Sequence, residues 1–417
     1  MQEEPYVLSI IIPTRNRQKY AAAAVRQIGA IDDRIQIIIH DNSDDDSLKE
    51  QLKNDISKKN IIYKYVKNRI SAVENYNRAA NYATGRYFMA LGDDDGILPN
   101  IMECILWMER NNIDAVKPSK RLSYVWPNKE LRGNKKHGYL WITPFSGATY
   151  LCDTKAGIIQ LLKNGGQGYL DLSIIGSYHC LVRLECMKRV YAITNKYYGG
   201  CSPDIYSAVC LSLLKDIKCV EIDFPITLPG VCPSSTSADA MAGKHIGKLE
   251  DVPHFINISN YKWEEAIPRY YTVETVWAET TLKAIKDMGE DELIHKYFNQ
   301  NKLIELIIKN NRFSDRNIVT VLGLPKNEEE RYIRKYIFGK NEEAIRRLGA
   351  KTIRKFKLLL RKETCIFKCK DIQKAISEME IYLNSKVNRN NWNFIISQDY
   401  SAAFRGQSKG KLSYGNK

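Results

Sequence analysis

The chain lacks most of the features that declare a function early. Its ten cysteines form no CxxC pair and no zinc-like array, the nearest spacing being Cys365 to Cys369. That excludes a zinc ribbon, and scattered thiols suit a reducing compartment, where cysteine acts as a small buried apolar residue. No apolar run reaches the roughly 18 residues a membrane-crossing helix needs. The opening stretch MQEEPYVLSIIIP is acidic and its apolar run is short, so it does not read as a signal peptide. Neither GxxxxGK[ST] nor GxGxxG occurs, which excludes a P-loop and a dinucleotide fingerprint. No internal repeat is present.

What remains is a chain of 417 residues, 44% hydrophobic and 27% charged, enough for a sizeable core and two domains. The formal charge of +15 implies an anionic partner. From residue 270 onward there are about 29 Lys plus Arg against about 18 Asp plus Glu, so the N-terminal two-thirds is nearly balanced.

Apolar β-branched runs at 6–13, 34–41 and 61–66, then 86–93 and 113–119, alternate with helical patterns. The helices are expected over 17–29, 47–59, 71–84 and 100–111, the second capped by Ser43 or Asp44. Five such strands imply an α/β architecture with a doubly wound, mostly parallel sheet. Ligands of such sheets bind beyond the carboxyl ends of the strands. Three polar stretches fall on that edge: Pro13–Asn16, Asp41–Ser43 and Asp93–Asp95. Residues 120–260 carry glycine- and serine-rich loop signals, and the pattern turns helical after about 260. The expected division is 1–260 for the α/β unit that carries the three polar stretches, 261–405 for a basic helical C-terminal unit, and 406–417 for a disordered tail.

The acidic triplet in YFMALGDDDGILPN is the most informative motif. Each close like-charge pair costs roughly 4 kcal/mol at 4 Å and an effective dielectric near 20. A solvated loop tolerates that repulsion; a strand end facing a ligand edge uses it to hold a hard cation. Mg²⁺ or Mn²⁺ on such carboxylates would bridge the oxygens of a diphosphate. Asp41, ending the second strand, sits where nucleotide-binding sheets grip a base or ribose.

LSIIIPTRNR, IIIHDNSDD and NYNRAANYATGRYFMALGDDDGILP, in that order, resemble the inverting family 2 glycosyltransferases of the GT-A fold. The likeness is good over 6–120, thins to about 245 and is absent beyond. It implies that Pro13, Thr14 and Arg15 line the nucleobase pocket and that Asp41 binds the base. It points to Asn68 or Arg69, with Asn75 and Asn77 nearby, for phosphates and sugar. Gly92 stands where the family's first carboxylate is usual, which shifts ribose recognition to Asp93, while Asp94 and Asp95 take the metal. Asp204, opening an apolar helix after YYGGCSP, is the implied base that accepts the acceptor's proton. The competing reading of Asp204 is a helix N-terminal acid favoured by the dipole. His179 reads equally as a site residue or a buried structural one. His245 is the implied third metal ligand, a solvent-facing loop histidine being the alternative.

The implied reaction moves a sugar from a nucleotide-sugar, expected to be UDP-linked, to a saccharide or lipid-linked acceptor in bacterial surface polysaccharide (capsule or O-antigen). Mn²⁺ or Mg²⁺ is the expected cofactor. The stretch 342–370 has about ten basic residues against one acid after Glu343, with apolar residues at helical spacing. It reads as a basic amphipathic helix on an anionic membrane or as a packed helix with a solvated face. The expected location is therefore the cytoplasm or the inner face of the plasma membrane. Two rivals stand: a sugar-nucleotide nucleotidyltransferase, which would need a glycine-rich basic stretch where PTRNRQKYA lies, and a nucleic-acid-binding protein using the basic C-terminal half. No nucleic acid is expected, because binding it leaves the ordered acidic motifs without a role.

Overall fold

Uninterrupted β-branched runs build the centre. Strands β1 (Leu8–Thr14) and β2 (Ile35–Asp41) are buried at every position, as strands covered on both faces must be. The computed structural model describes residues 6–119, 122–128, 137–235, 246–249, 261–311, 319, 322, 324, 326–332 and 365–400. Strand β3 (Ile61–Tyr65) pairs with β2, and β1 pairs with both β2 and β4 (Tyr87–Ala90), all in parallel. The sheet continues through β10 (Leu181–Arg183), β6 (Ala115–Pro118), β11 (Cys219–Ile222) and β9 (Thr149–Leu151). It is mixed but mostly parallel, in a GT-A-like fold. β10 lies antiparallel between β4 and β6, and β9 is antiparallel at the edge. A three-residue strand from far along the chain, β10, thus separates β4 from β6.

Successive side chains of a strand point to opposite faces, and two cores follow. Ile10, Ile12, Ile37, Ile39 and Met89 face the first, with helices α1 (Gln18–Ile28), α2 (Ser47–Gln51) and α4 (Ile101–Asn111). Ile11, Ile38, Phe88 and Ala90 face the second. That side holds α3 (Ala72–Ala80), α5 (Thr154–Lys163), α6 (Leu184–Thr194) and α7 (Pro203–Leu213). α8 (Val273–Asp287), α9 (Asp291–Tyr297), α10 (Gln300–Asn311) and α11 (Lys326–Tyr332) extend it. Helices α5, α6 and α7 therefore lie within the stretch that carries loop signals before 260, α7 being the apolar helix expected after YYGGCSP. The second helix stops at Gln51 rather than near 59.

Beneath the first core, β7 (Leu122–Val125), β8 (Gly138–Ile142), β13 (Gly230–Val231) and β16 (Cys365–Cys369) form a second sheet, ordered β13-β7-β8-β16. Two-stranded pairs join β5 (Gly96–Ile97) to β12 (Thr227–Leu228), and β14 (Ile246–Gly247) to β15 (Tyr271–Thr272). Residues 365–369 are strand, which corrects the helix expected through 370: alternate side chains there turn inward against β8. Residues 342–364, the boundary near 260 and the tail lie outside the described residues.

From 261 onward the described elements divide between the two faces. α8 packs on α7, whereas α12 (Ile372–Leu383) and α13 (Lys386–Ser397) join the first core against α1 and α4. Trp392 donates its indole N–H to Glu103 at 2.6 Å, and Trp107 donates to the Gln398 carbonyl at 3.0 Å. No helix among the described residues is long and apolar enough to cross a membrane.

Two predictions follow from this packing. Trp392→Ala should cost about 3–5 kcal/mol, as large-to-small changes in a core do, within a single urea transition; a separate early transition would mean that 365–400 folds apart. Glu279 on α8 is wholly buried, and burial pushes its carboxyl from an ordinary 4.5 up to about 7, against donors from Tyr261 and Glu264. The folded state then holds a proton that the unfolded chain releases. Glu279's contribution to stability should be fully present below about pH 4.5 and be lost as pH rises through about 7, and Glu279→Gln should remove that part of the slope in melts across the range.

Candidate functional site

The carboxyl ends of β1, β2 and β4 share one sheet edge, with Thr14 in register with Asp41. A cleft of about 450 Å³ opens there, within the roughly 300–1,000 Å³ of small-ligand sites. Its lining draws on Pro13, Thr14, Arg15 and Arg17 after β1, Asn42 after β2, Arg69, Ser71, Asn75 and Tyr76 from the turn before α3 and α3 itself, and Gly92, Asp93 and Asp94 after β4. Tyr178, Gly230 and Ser235 complete it.

The three carboxylates part ways. Thr14 Oγ1 donates to Asp93 Oδ2 at 2.6 Å and Arg17 Nη1 to Oδ1 at 2.9 Å. Arg17 Nη2 also donates to the Ser234 carbonyl oxygen, tying the loop after β13 to the turn after β1. Burial pushes the Asp93 carboxyl up, and Arg17 and Thr14 work against it. Asp94 accepts from the Cys232 N–H at 2.8 Å through Oδ2, and Oδ1 has no protein donor among the described residues. Burial, with Asp95 and Asp93 beside it, pushes the Asp94 carboxyl up to about 7.

Asp95, expected beside Asp94 as a metal ligand, instead turns into the protein and does not line the cleft. Its Oδ2 accepts from the Gly92 N–H at 2.7 Å and the Tyr178 hydroxyl at 2.8 Å, and faces His179 Nε2 at 3.2 Å. Its Oδ1 accepts from the Gly230 N–H at 2.7 Å. Burial alone would raise Asp95, yet His179 and these donors hold it down at about 2. His179 is itself buried, its Nδ1 3.0 Å from Thr227 Oγ1. Among the described residues no group of three or more His, Cys, Asp or Glu is arranged to hold a metal ion. His245 lies outside them.

Two glycines make this geometry possible. A Cβ on Gly92 would sit 2.8 Å from Asp95 Oδ2 and 2.9 Å from the Tyr178 hydroxyl, so the carboxylate usual there has no room. A Cβ on Gly230 would fall 1.8 Å from the Asp94 carbonyl oxygen, a backbone approach only glycine allows.

The remaining expected residues divide. Pro13, Thr14, Arg15, Arg69 and Asn75 do line the cleft. Arg15 is tethered to the Asn42 carbonyl at 2.7 Å and to Asp44 at 2.5 Å. Asn75 bridges His40 and the Thr14 carbonyl at 2.5 and 3.3 Å. Asp41 does not reach the cleft: its buried carboxylate accepts from Ser43 N–H and Oγ at 2.9 and 2.5 Å and from Tyr63 at 2.8 Å. Its neighbour Asn42 lines the wall instead and holds the next loop through the Val66 and Asn68 carbonyls, both at 2.8 Å. Asn68 offers that carbonyl and keeps its side chain exposed. Asn77 points away, its amide bonded to the Tyr197 and Tyr198 backbone at 2.8–3.1 Å.

Asp204 opens α7, accepting from Tyr169 at 2.5 Å and from Ser202. It does not line the cleft, but Tyr76 does. Burial raises the Tyr76 phenol well above its ordinary value, and the charges of Asp204, Asp95 and Asp93 raise it further. Tyr76 is therefore close enough to feel the charge of both Asp204 and the triplet. Arg17, Tyr76 and Tyr178 escape sequence reading, although the second arginine of PTRNR and the residue before His179 were adjacent signals.

Residues 9–158 match the model of glycosyl transferase family 2, which supports a family 2 glycosyltransferase. No curated protein matches the chain. Among solved structures the chain is similar to S. aureus TarS 1-349, at 14% identity and a TM-score of 0.41, covering 76% of this chain and 80% of that one. The same S. aureus protein in complex with UDP-GlcNAc is similar at 12% identity and a TM-score of 0.42, covering 76% and 81%.

Gly230→Ala should push the loop after β13 off the Asp94 carbonyl and lose roughly 1–3 kcal/mol or more by overpacking. A thermal melt against the wild type checks it; an unchanged melt would mean that this backbone approach is slack.

Proposed function

We propose that the protein is an inverting glycosyltransferase that takes its sugar from a UDP-linked donor and adds it to a hydroxyl acceptor in surface-polysaccharide synthesis. The observation that carries this reading is the cleft itself, in which Asp94 with a free oxygen and the cations Arg17 and Arg69 share one wall system at the strand ends. The family match over 9–158 supports it.

Pro13, Thr14, Arg15 and Asn42 would bound the nucleoside. Arg69 has no partner among the described residues and would meet the diphosphate; Arg17, held by Asp93, stands beside it. Asp94 fits a divalent ion of the Mg²⁺ or Mn²⁺ type, because a crowded carboxyl pushed up to about 7 gains from a cation. One or two carboxylates plus substrate phosphates are the usual ligand set for such an ion. Bound there, it would neutralise charge developing on the departing diphosphate. Asp95 has no part in that set, since protein donors take its oxygens.

The chain's own work is positioning and electrostatic stabilisation. An acceptor entering past Tyr76 would present its hydroxyl toward Asp204, which takes the proton as the oxygen attacks the anomeric carbon from the face opposite the diphosphate. Tyr169 and Ser202 orient that carboxylate. The basic stretch 342–370 supports an anionic membrane surface at the cytoplasmic face as the working location.

Asp94→Asn should abolish Mn²⁺-stimulated hydrolysis of a UDP-sugar while leaving the melting temperature equal or higher, since one repelling charge is gone; undiminished hydrolysis discards the metal role. Asp204→Asn should keep UDP affinity by calorimetry and lose transfer by 10²–10⁴-fold, the usual range for a general base. Transfer at the wild-type rate would place the base elsewhere.

A further inference from the structure

Four tyrosines stand in or beside the cleft, and three of their hydroxyls are committed to the protein. Tyr178 donates to Asp95 at 2.8 Å and Tyr169 to Asp204 at 2.5 Å, while Tyr198 shares a hydrogen bond with Ser177 at 3.0 Å. The fourth, Tyr76, lines the cleft, and its hydroxyl has no hydrogen-bond partner among the described residues. Its half-buried ring is held in place. It packs edge-on against Tyr198, with centroids 5.2 Å apart and planes at 73°. The helix is fixed on either side of it, by Asn75 on His40 and the Thr14 carbonyl and by Asn77 on the Tyr197 and Tyr198 backbone.

We infer that Tyr76 selects the transferred sugar by hydrogen-bonding one of its hydroxyls. The inference rests on the transferase reading and deepens it. In that reading the diphosphate lies at Asp94 and Arg69 and the base is Asp204, so the sugar has to reach from one to the other. Tyr76 lines the cleft and feels the charge of Asp204, Asp95 and Asp93. Those charges, added to burial, keep its phenol protonated and available as a donor. They also disfavour an anion beside it, which leaves the neutral part of the donor as its partner. A phenol can give a hydrogen bond to a sugar hydroxyl and accept one from it. A polar group built to meet a substrate hydroxyl rejects the analogue that lacks it, because the protein group is then left unpaired.

Calorimetry on the full chain with Mn²⁺ tests this, using UDP, UDP-glucose, UDP-galactose and UDP-N-acetylglucosamine as probes. Tyr76→Phe keeps the ring and its contact with Tyr198, so the melting temperature should be unchanged. Affinity for UDP should also be unchanged, while the UDP-sugar that binds the wild type most tightly should bind the variant about three- to tenfold more weakly, the scale of one neutral hydrogen bond. Among the monodeoxy analogues of that UDP-sugar, one should lose the same factor on the wild type and lose nothing further on the variant, as two deletions of one bond must. Equal affinity of wild type and variant for the UDP-sugar overturns the inference. So does an equal loss for UDP, which marks a structural role, or a full further loss for every deoxy analogue on the variant. A wild type that binds none of the three UDP-sugars brings down the transferase reading and this inference with it, an outcome distinct from the others.

Discussion

One buried negative charge organises the site. A lone carboxylate taken out of water costs several kcal/mol unless its lone pairs are met. Asp95 meets that demand with Gly92, Tyr178, His179 and Gly230, drawn from three stretches of chain up to 135 residues apart. Three of those donors, Gly92, Tyr178 and Gly230, also line the cleft. The charge that is useless for chemistry therefore draws together the surfaces that make chemistry possible. His179 adopts a left-handed φ of 60° to reach it, a local strain that such a well-satisfied charge can hold in place.

This arrangement explains why the triplet could be read only in part. In sequence, Asp93, Asp94 and Asp95 are equivalent; in space, Arg17, Cys232 and the His179 pair give each a different environment. The position of the motif was legible because a buried strand runs into it. The division of labour was not, because it depends on residues up to 138 positions away. Asp41 illustrates the same limit: the turn it begins does reach the cleft, but Tyr63 and Ser43 claim the carboxylate and leave Asn42 to face outward. Asn77 looks like its neighbour Asn75, yet sits on the side of α3 that meets Tyr197 and Tyr198.

The fold was legible where apolar periodicity was strong. Isoleucine-rich β1 and β2 and the helices α1 and α4 stand close to where their patterns put them. Strands of two residues, such as β5 and β12, carry no period to detect, and their pairing is decided by the strand that receives them. β16 was hidden by its basic surroundings, since Lys368 and Lys370 continue the run that suggested a helix.

The antiparallel seam between β8 and β16 joins Gly138–Ile142 to Cys365–Cys369 across more than half the chain. On a ribosome, the first of these segments emerges long before its partner exists. Until residues 365–400 leave the exit tunnel, α1 and α4 present an apolar face that α12 and α13 will later occupy. This side of the molecule is therefore completed long after its first elements emerge, and nascent chains stalled before residue 365 would carry an adhesive surface of the kind chaperones shield.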